Sequence, residues 1–341
     1  MQFETLRKTS DFETFATEWN TLLSTSASNV PFLKPEYLAA WWAHRGGGEW
    51  QQGELHTVVA REEDGGIVGI APLFLTQNPD GEAALIFIGS IEISDYLDFI
   101  VQPKDVVRFT AGLFEYLATP IFPAWKHLDL YNILDGSPTL EALKNTAQQH
   151  GWRYQQEQLQ PAPQVLLTGS WEDYLASMKK KQRHELRRKM RNAANHVVPV
   201  KWYIVEDQTT LDTELDAFFE LMVQEPLKKE FLTPAMQSQM RAIAHSAFEH
   251  GWLQLAFLQV GDEKAAAMFN FDYGNRVWGY NSGFSLDHRD LSSGVVLMGN
   301  ILEWACGQGR QAFDFMRGDE DYKYRFGAED RFVMRATISR D

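Results

Sequence analysis

At 341 residues the chain is longer than a single core usually grows, so two compact units are expected, and 44% hydrophobic with 13% aromatic content excludes a disordered class. A net charge of -14 sets long-range electrostatics against DNA, other phosphate backbones and anionic membrane surfaces, so any nucleic-acid contact has to be local. A single cysteine, Cys306, excludes an intramolecular disulfide, and no apolar run approaches the ~18 residues of a membrane span.

In chain order the pattern predicts a strand over 3–7, a helix over 11–23, and after Pro35 a helix carrying Trp41 and Trp42 that ends at Gly46, Gly47 and Gly48. Apolar runs over 55–60 and 67–75, separated by EEDGG, read as a hairpin. Strands over 85–89 and 96–101, a helix over 104–118, a strand over 127–131 and a helix over 138–150 complete a mixed α/β first half. The stretch 155–164, with two prolines around an alanine, lacks a period and marks the boundary, giving domains 1–166 and 167–341.

The second half opens with one helix predicted over 171–195, then a strand over 198–205 and a helix over 211–222. A loop over 225–233 and a helix over 234–249 follow. Strands over 252–260, 265–273 and 277–283 form a three-stranded meander. A helix over 294–306 puts Cys306 on its buried side, and strands over 311–316 and 332–338 end the chain. The pairing of a strand, an acidic or glycine turn and a strand of small residues occurs in both LHTVVAREEDGGIVGIAPLF and LQLAFLQVGDEKAAAMFNF. A tandem duplication is therefore expected. The first residues, MQFETLRKTSDFETF, contain no leader-like apolar stretch, and a cytoplasmic protein is the expectation.

Three groups of residues carry candidate chemistry. Ser292, Ser293 and Gly294 stand where a helix begins, so unpaired amides and the positive dipole end offer an anion site, or one of the serines is simply the cap. KKKQRHELRRKMR, the one strong basic run, aligns Lys180, His184, Arg187, Arg188 and Arg191 on one side of a helix, as a phosphate-binding face or a solvated one. Asp95, Tyr96 and Asp98 in SDYLDF are placed to recognise sugar hydroxyls or an amine, or to cap a turn. Scattered histidines without HExxH or Cys/His spacing give a metal no support, and no GxSxG elbow or Walker loop is present.

The meander, the SG-containing turn, the following helix, GQGR and FDFMRGDEDYKYRFG together resemble the GNAT acetyltransferase superfamily, in its CelD/BcsL-like or FemAB-like branch. The resemblance is carried by 280–284, Ser293 and Gly294, 309–317 and 322–327. It implies an α/β fold of tandem GNAT-like domains, each a mixed sheet flanked by helices, the first with a degenerate donor site and the second with the donor and catalytic site. It implies transfer of an acyl group from acetyl-CoA or another acyl-CoA to an amine or hydroxyl of a small-molecule or glycan acceptor, in cell-envelope or exopolysaccharide biosynthesis. Arg289 to Gly294 would hold the donor pyrophosphate, although serine replaces the first glycine of the family's Q/RxxGxG/A loop. Tyr280, Tyr322 and Arg187 join Asp95, Tyr96 and Asp98 as substrate-binding candidates. YKYRFG matches the FemAB-like FKxxFG element, which implies that Lys323 stabilises the oxyanion of the tetrahedral intermediate; pairing with Glu320 and Asp321 is the alternative. Asp319, oriented by Arg317, is the expected general base, with Glu320 beside it. The rivals are an aminoacyl-tRNA-dependent peptidyltransferase, against which the net acidity counts, and a binding protein that kept the fold without chemistry.

Overall fold

A computed structural model describes residues 1–340, and the chain divides into two compact units: Met1–Gln160 together with the segment from Arg331 onward, and Pro161–Asp330. In the first unit the order is β1 (Gln2–Leu6), α1 (Ser10–Ser24), α2 (Pro35–Gly48), β2 (Glu54–Leu55), β3 (Thr57–Arg61), β4 (Ile67–Ala71), β5 (Leu73–Gln77), β6 (Ala83–Phe87), β7 (Ile100–Val101), α3 (Val106–Leu117), β8 (His127–Leu134), α4 (Pro138–Gln149) and β9 (Arg153–Pro161). The run expected as one strand over 67–75 is two, because Pro72 has no N–H for a ladder. β4 joins a sheet of order β1-β3-β4-β7, and β5 a sheet of order β2-β5-β6-β8-β16-β9.

The second unit runs β10 (Gln164–Leu166), α5 (Trp171–Ser177), α6 (Lys180–Ala194), β11 (Val200–Ile204), α7 (Leu211–Met222), α8 (Pro226–Phe231), α9 (Pro234–Glu249), β12 (Leu253–Val260), β13 (Glu263–Tyr273), β14 (Arg276–Phe284), α10 (Ser293–Gly307), β15 (Ala312–Asp314) and α11 (Asp321–Arg325). Its sheet has the order β10-β15-β14-β13-β12-β11. Every pair is antiparallel except β14 with β15. Alternate residues Ala256, Leu258, Ala266 and Met268 of the meander share a core with Leu297, Ile301 and Leu302 of α10. Each of those three fully buried helix side chains contributes roughly 1.5–3 kcal/mol.

The last strand, β16 (Phe332–Ser339), corrects the expected boundary. Expected in the second domain, it pairs antiparallel with β8 and lies between β8 and β9, in the first unit. Its Val333, Ala336 and Ile338 are fully buried, which gives that sheet a strand from the far end of the chain. The helix expected over 171–195 is also two: Met178 is extended (ψ 150), and its buried side chain joins the core. α5 carries a reciprocal capping box between Ser170 and Asp173, and the basic residues are left to α6 alone. Despite these differences, a strand, helices, a run of strands, a helix and a strand follow one another in both units, as β1, α1–α2, β2–β7, α3, β8 in the first and as β11, α7–α9, β12–β14, α10, β15 in the second.

Candidate functional site

β13 and β14 are joined by a turn at Gly274 and Asn275, both with φ of 60°, the left-handed pair that a tight hairpin demands. Opposite Asn270 and Phe269, β14 carries an extra residue: Gly279 pairs with Asn270 and Asn281 with Phe269, which leaves Tyr280 as a bulge. Parallel pairing to β15 covers only Arg276–Trp278. From Gly279 onward β14 therefore runs on beyond the ladder to β15.

The far end of β14 is held from α7 and α8. A Cβ on Gly283 would stand 2.6 Å from Met222 N and 2.7 Å from Leu221 C, so the end of α7 lies backbone against backbone on the strand. Gln224 Oε1 accepts from the Leu286 amide at 2.9 Å. Lys228 of α8, within a segment expected to be loop, donates from Nζ to Ser282 O at 2.9 Å and contacts Ser282 Oγ at 3.3 Å. The same ammonium meets Glu225 Oε2 at 3.1 Å.

Between this strand end and the start of α10 lies a cavity of about 360 Å³. Arg289, Ser292, Ser293 and Gly294 line its polar side, and Phe284, Met298, Met268 and Phe326 belong to its apolar wall, with Tyr322 beside them. Ser292 is left-handed (φ 55°), and its side chain does not cap the helix. Its carbonyl takes the amides of Val295 and Val296; the Ser293 and Gly294 amides precede the first helical hydrogen bonds. Ser293 is not the cap either: its hydroxyl is buried and donates to Ala265 O at 3.1 Å. A Cβ on Gly294 would find nothing nearer than Phe284 at 3.9 Å, so that amide borders open space. No carboxylate pairs with Arg289 among the described residues.

Tyr322 is 42% exposed as a residue, but burial around its hydroxyl, then the charges of Glu320 and Glu225, push the phenol well above its ordinary range. The hydroxyl keeps its proton across the neutral range. A second pocket shares Val295, Tyr322 and Phe326 with the first and is lined by the cations Lys181, Lys189 and Arg325. Its carboxylate, Glu185, is already held by both Arg188 nitrogens at 3.0 and 2.8 Å.

Of the residues expected to act, Arg289, Ser292, Ser293, Gly294 and Tyr322 meet at one cavity. Lys323 does not line it. It is 2% exposed, and its ammonium donates to the carbonyls of Met316 (3.2 Å), Arg317 (2.7 Å) and Gly318 (3.2 Å) and faces Glu320 at 2.8 Å. Three N–H donors shared among three carbonyls and the Glu320 carboxylate make Lys323 the tie that closes the loop ahead of α11. Asp319 is exposed on that loop, and Arg317 enters it through its carbonyl. Tyr280 packs on Phe269 and Phe271, with ring centroids 5.3 and 5.0 Å away. Arg187 lies on the outer side of α6, paired with Glu172. In the first unit, Asp98 is 1% exposed and accepts from Ser28 and Ser137 at 2.5 Å each and from the Phe99 amide. Burial raises its pKa against those hydrogen bonds. Tyr96 is buried too, and its hydroxyl accepts from Arg331 at 3.3 Å. Both are built into their own core, which corrects the expectation that Asp98 and Tyr96 present themselves to a sugar; Asp95 stays half-buried beside them. Sequence reasoning passed over Glu225, Lys228, Lys181, Lys189 and Arg325 as catalytic or binding candidates. Glu225 and Lys228 both fall in the segment 225–233 that was expected to be loop.

Among the described residues no group of three His, Cys, Asp or Glu side chains is arranged to hold a metal, and no helix is long and apolar enough to cross a membrane. Residues 180–324 match the family model for the acetyltransferase (GNAT) domain. No curated protein matches the chain. Among solved structures it is similar to FemX, at 11% identity over 98% of this chain and 97% of that one, with a TM-score of 0.69. It is also similar to a conserved protein from Bacteroides thetaiotaomicron (13% identity, 100% of both chains, TM-score 0.59) and to L-PGS from Bacillus licheniformis (13% identity, 88% of this chain and 90% of that one, TM-score 0.54). At such identities these likenesses establish the fold alone: a mixed α/β fold whose second unit carries the GNAT match.

Proposed function

We propose, with a GNAT domain over 180–324 as the premise, that the protein is an acyltransferase moving an acyl group from acyl-CoA to an amine or hydroxyl, in the CelD/BcsL-like or FemAB-like branch. The observation that carries this is the cavity at the start of α10, where two first-turn amides and Arg289 meet an apolar chamber. A pyrophosphate suits the amides and the guanidinium. The uncharged arm and acyl group of the donor suit the chamber, and the cations of the adjoining pocket suit the donor's remaining phosphate.

Tyr322 is the group we assign to the departing thiolate. Attack on the thioester carbonyl forms the new bond to the acceptor, collapse of the tetrahedral intermediate breaks the C–S bond, and the phenol supplies the proton the sulfur takes up. Lys323 holds the loop that leads into α11, the helix of Tyr322, and has no role at the reacting carbonyl in this reading.

Calorimetry with acetyl-CoA and CoA, together with thiol release over a panel of amines and sugars, tests the proposal. Gly294→Val, whose γ-carbons would fill the space before the amides, is expected to weaken CoA at least tenfold. Tyr322→Phe is expected to keep CoA and to lose about 10²-fold in turnover. A wild-type protein that neither binds CoA nor releases thiol overturns the reading. The exposed cations of α6 favour aminoacyl-tRNA as the second reading, and salt-sensitive tRNA binding abolished by Arg187→Ala with Arg188→Ala would put it first.

A further inference from the structure

An acyltransferase needs a base for the acceptor as well as an acid for the leaving group, and the cavity wall contains neither a carboxylate nor an imidazole. The base has to come from the rim. Two carboxylates act electrostatically on Tyr322, those of Glu320 and Glu225, and their surroundings differ. Glu320 faces the buried ammonium of Lys323, whose other partners are loop carbonyls outside the cavity. Glu225 faces Lys228, whose other partner is Ser282, on the cavity wall.

The placement of Glu225 is fixed on three sides. Gly283 admits the end of α7 directly onto β14, Gln224 is tied to Leu286, and Lys228 is tied to Ser282. Glu225 is the residue between those ties, its own amide bonded back to Met222 O at 3.1 Å, with Pro226 opening α8 immediately after it. Its side chain is 41% exposed, open to an incoming nucleophile while one oxygen is held.

We propose that Glu225 is the base that takes the proton from an acceptor amine, and that Lys228 is the positioning residue that fixes its carboxylate against the end of β14. This rests on the acyl-CoA reading above. The amine nitrogen forms its bond to the thioester carbon, its proton passes to Glu225, the C–S bond breaks, and the thiolate takes its proton from Tyr322. Exchange with water restores both groups. Of the charged and titratable groups, Lys228 on α8 meets Glu225 directly, and Tyr322 on α11 feels both Glu225 and Glu320.

The test uses the full-length protein, acetyl-CoA, and two nucleophiles: a primary alkyl amine that supports wild-type thiol release, and hydroxylamine, which is unprotonated at neutral pH. Glu225→Gln is expected to bind CoA as wild type does and to lose about 10²–10³-fold in kcat with the alkyl amine. Its rate should climb with pH where the wild type is level, and its loss with hydroxylamine should be far smaller. Lys228→Met should move the pH profile, and Lys228→Arg should restore it. A Glu225→Gln protein with wild-type kcat and pH profile overturns the assignment, as does one that loses both nucleophiles equally along with CoA. A wild-type protein that fails to bind CoA at all instead removes the donor reading on which the assignment rests.

Discussion

His56 is fully buried, with Nε2 at 2.6 Å from Arg7 Nη1 and 3.6 Å from Glu54 Oε2. Burial first, then Arg7, lowers its pKa to about 4, while Glu54 pulls the other way. An unfolded chain titrates the ring near its ordinary value of 6.5, so between those values the unfolded state binds the extra proton. The neutral ring therefore contributes its full stability above pH 6.5 and loses it as the pH falls toward 4, by about 3 kcal/mol at most. Urea unfolding of the wild type and of His56→Phe, each at pH 7.5 and 4.5, isolates this from the general loss of carboxylate interactions. The wild type should lose about 2–3 kcal/mol more than the variant over that range, and parallel losses would remove His56 as the cause. Legibility in the sequence was uneven at this scale. Ser293 and Gly294 were readable because a helix start exposes amides wherever it falls, and Arg289 entered only with the family resemblance. Lys323 was not: its position in YKYRFG was plain, but whether an ammonium faces a ligand or three carbonyls depends on how the 316–320 loop closes.

Three glycines separate the contributions of the elements around the cavity. At Gly283 an added Cβ meets the α7 backbone at 2.6 and 2.7 Å, which no side-chain rotation relieves. Gly283→Ala is expected to cost at least ~2 kcal/mol and to weaken CoA, because α7 and the end of β14 must separate. At Gly299 the nearest atom is the end of a flexible side chain, Met190 Sδ at 2.9 Å, and a milder cost follows. At Gly294 the added Cβ meets Phe284 at 3.9 Å, so Gly294→Ala should unfold within about 0.5 kcal/mol of the wild type. Chemical denaturation of the three alanine variants checks the order; a Gly283→Ala protein as stable as the Gly294→Ala one would refute the backbone contact. Periodicity read the meander and α10 well, since their buried faces alternate or recur at helical spacing. It missed the break at Met178, which a tertiary demand for a buried side chain imposes on a good helical sequence. It also missed α8, six residues whose place is set by Lys228 and Ser282, and β9, whose largely exposed face leaves no apolar pattern.

At the scale of the whole molecule, the first unit is discontinuous in sequence: Pro161–Asp330 is inserted between β9 and β16. No sequence pattern distinguishes a strand that closes the nearer sheet from one that returns to a sheet begun far earlier, at β2, and the expected boundary failed there for that reason. The topology has a consequence for truncation. β16 is an interior strand, between β8 and β9, and it pairs with β8 from Val333↔Leu134 to Ser339↔His127. Its Arg335 clasps Asp129 with two nitrogens at 2.8 Å each. Removing an interior strand exposes the ladder groups of both neighbours and the apolar surface that Val333, Ala336 and Ile338 covered. A chain ending at Asp330 keeps every element and the entire core of the second unit. Hydrogen exchange of that shortened chain should therefore lose protection over β8, and over the adjoining β6, while β13, β14 and α10 stay protected and CoA still binds. Full protection of 127–134 in the shortened chain would mean that the first unit's sheet does not depend on its last strand.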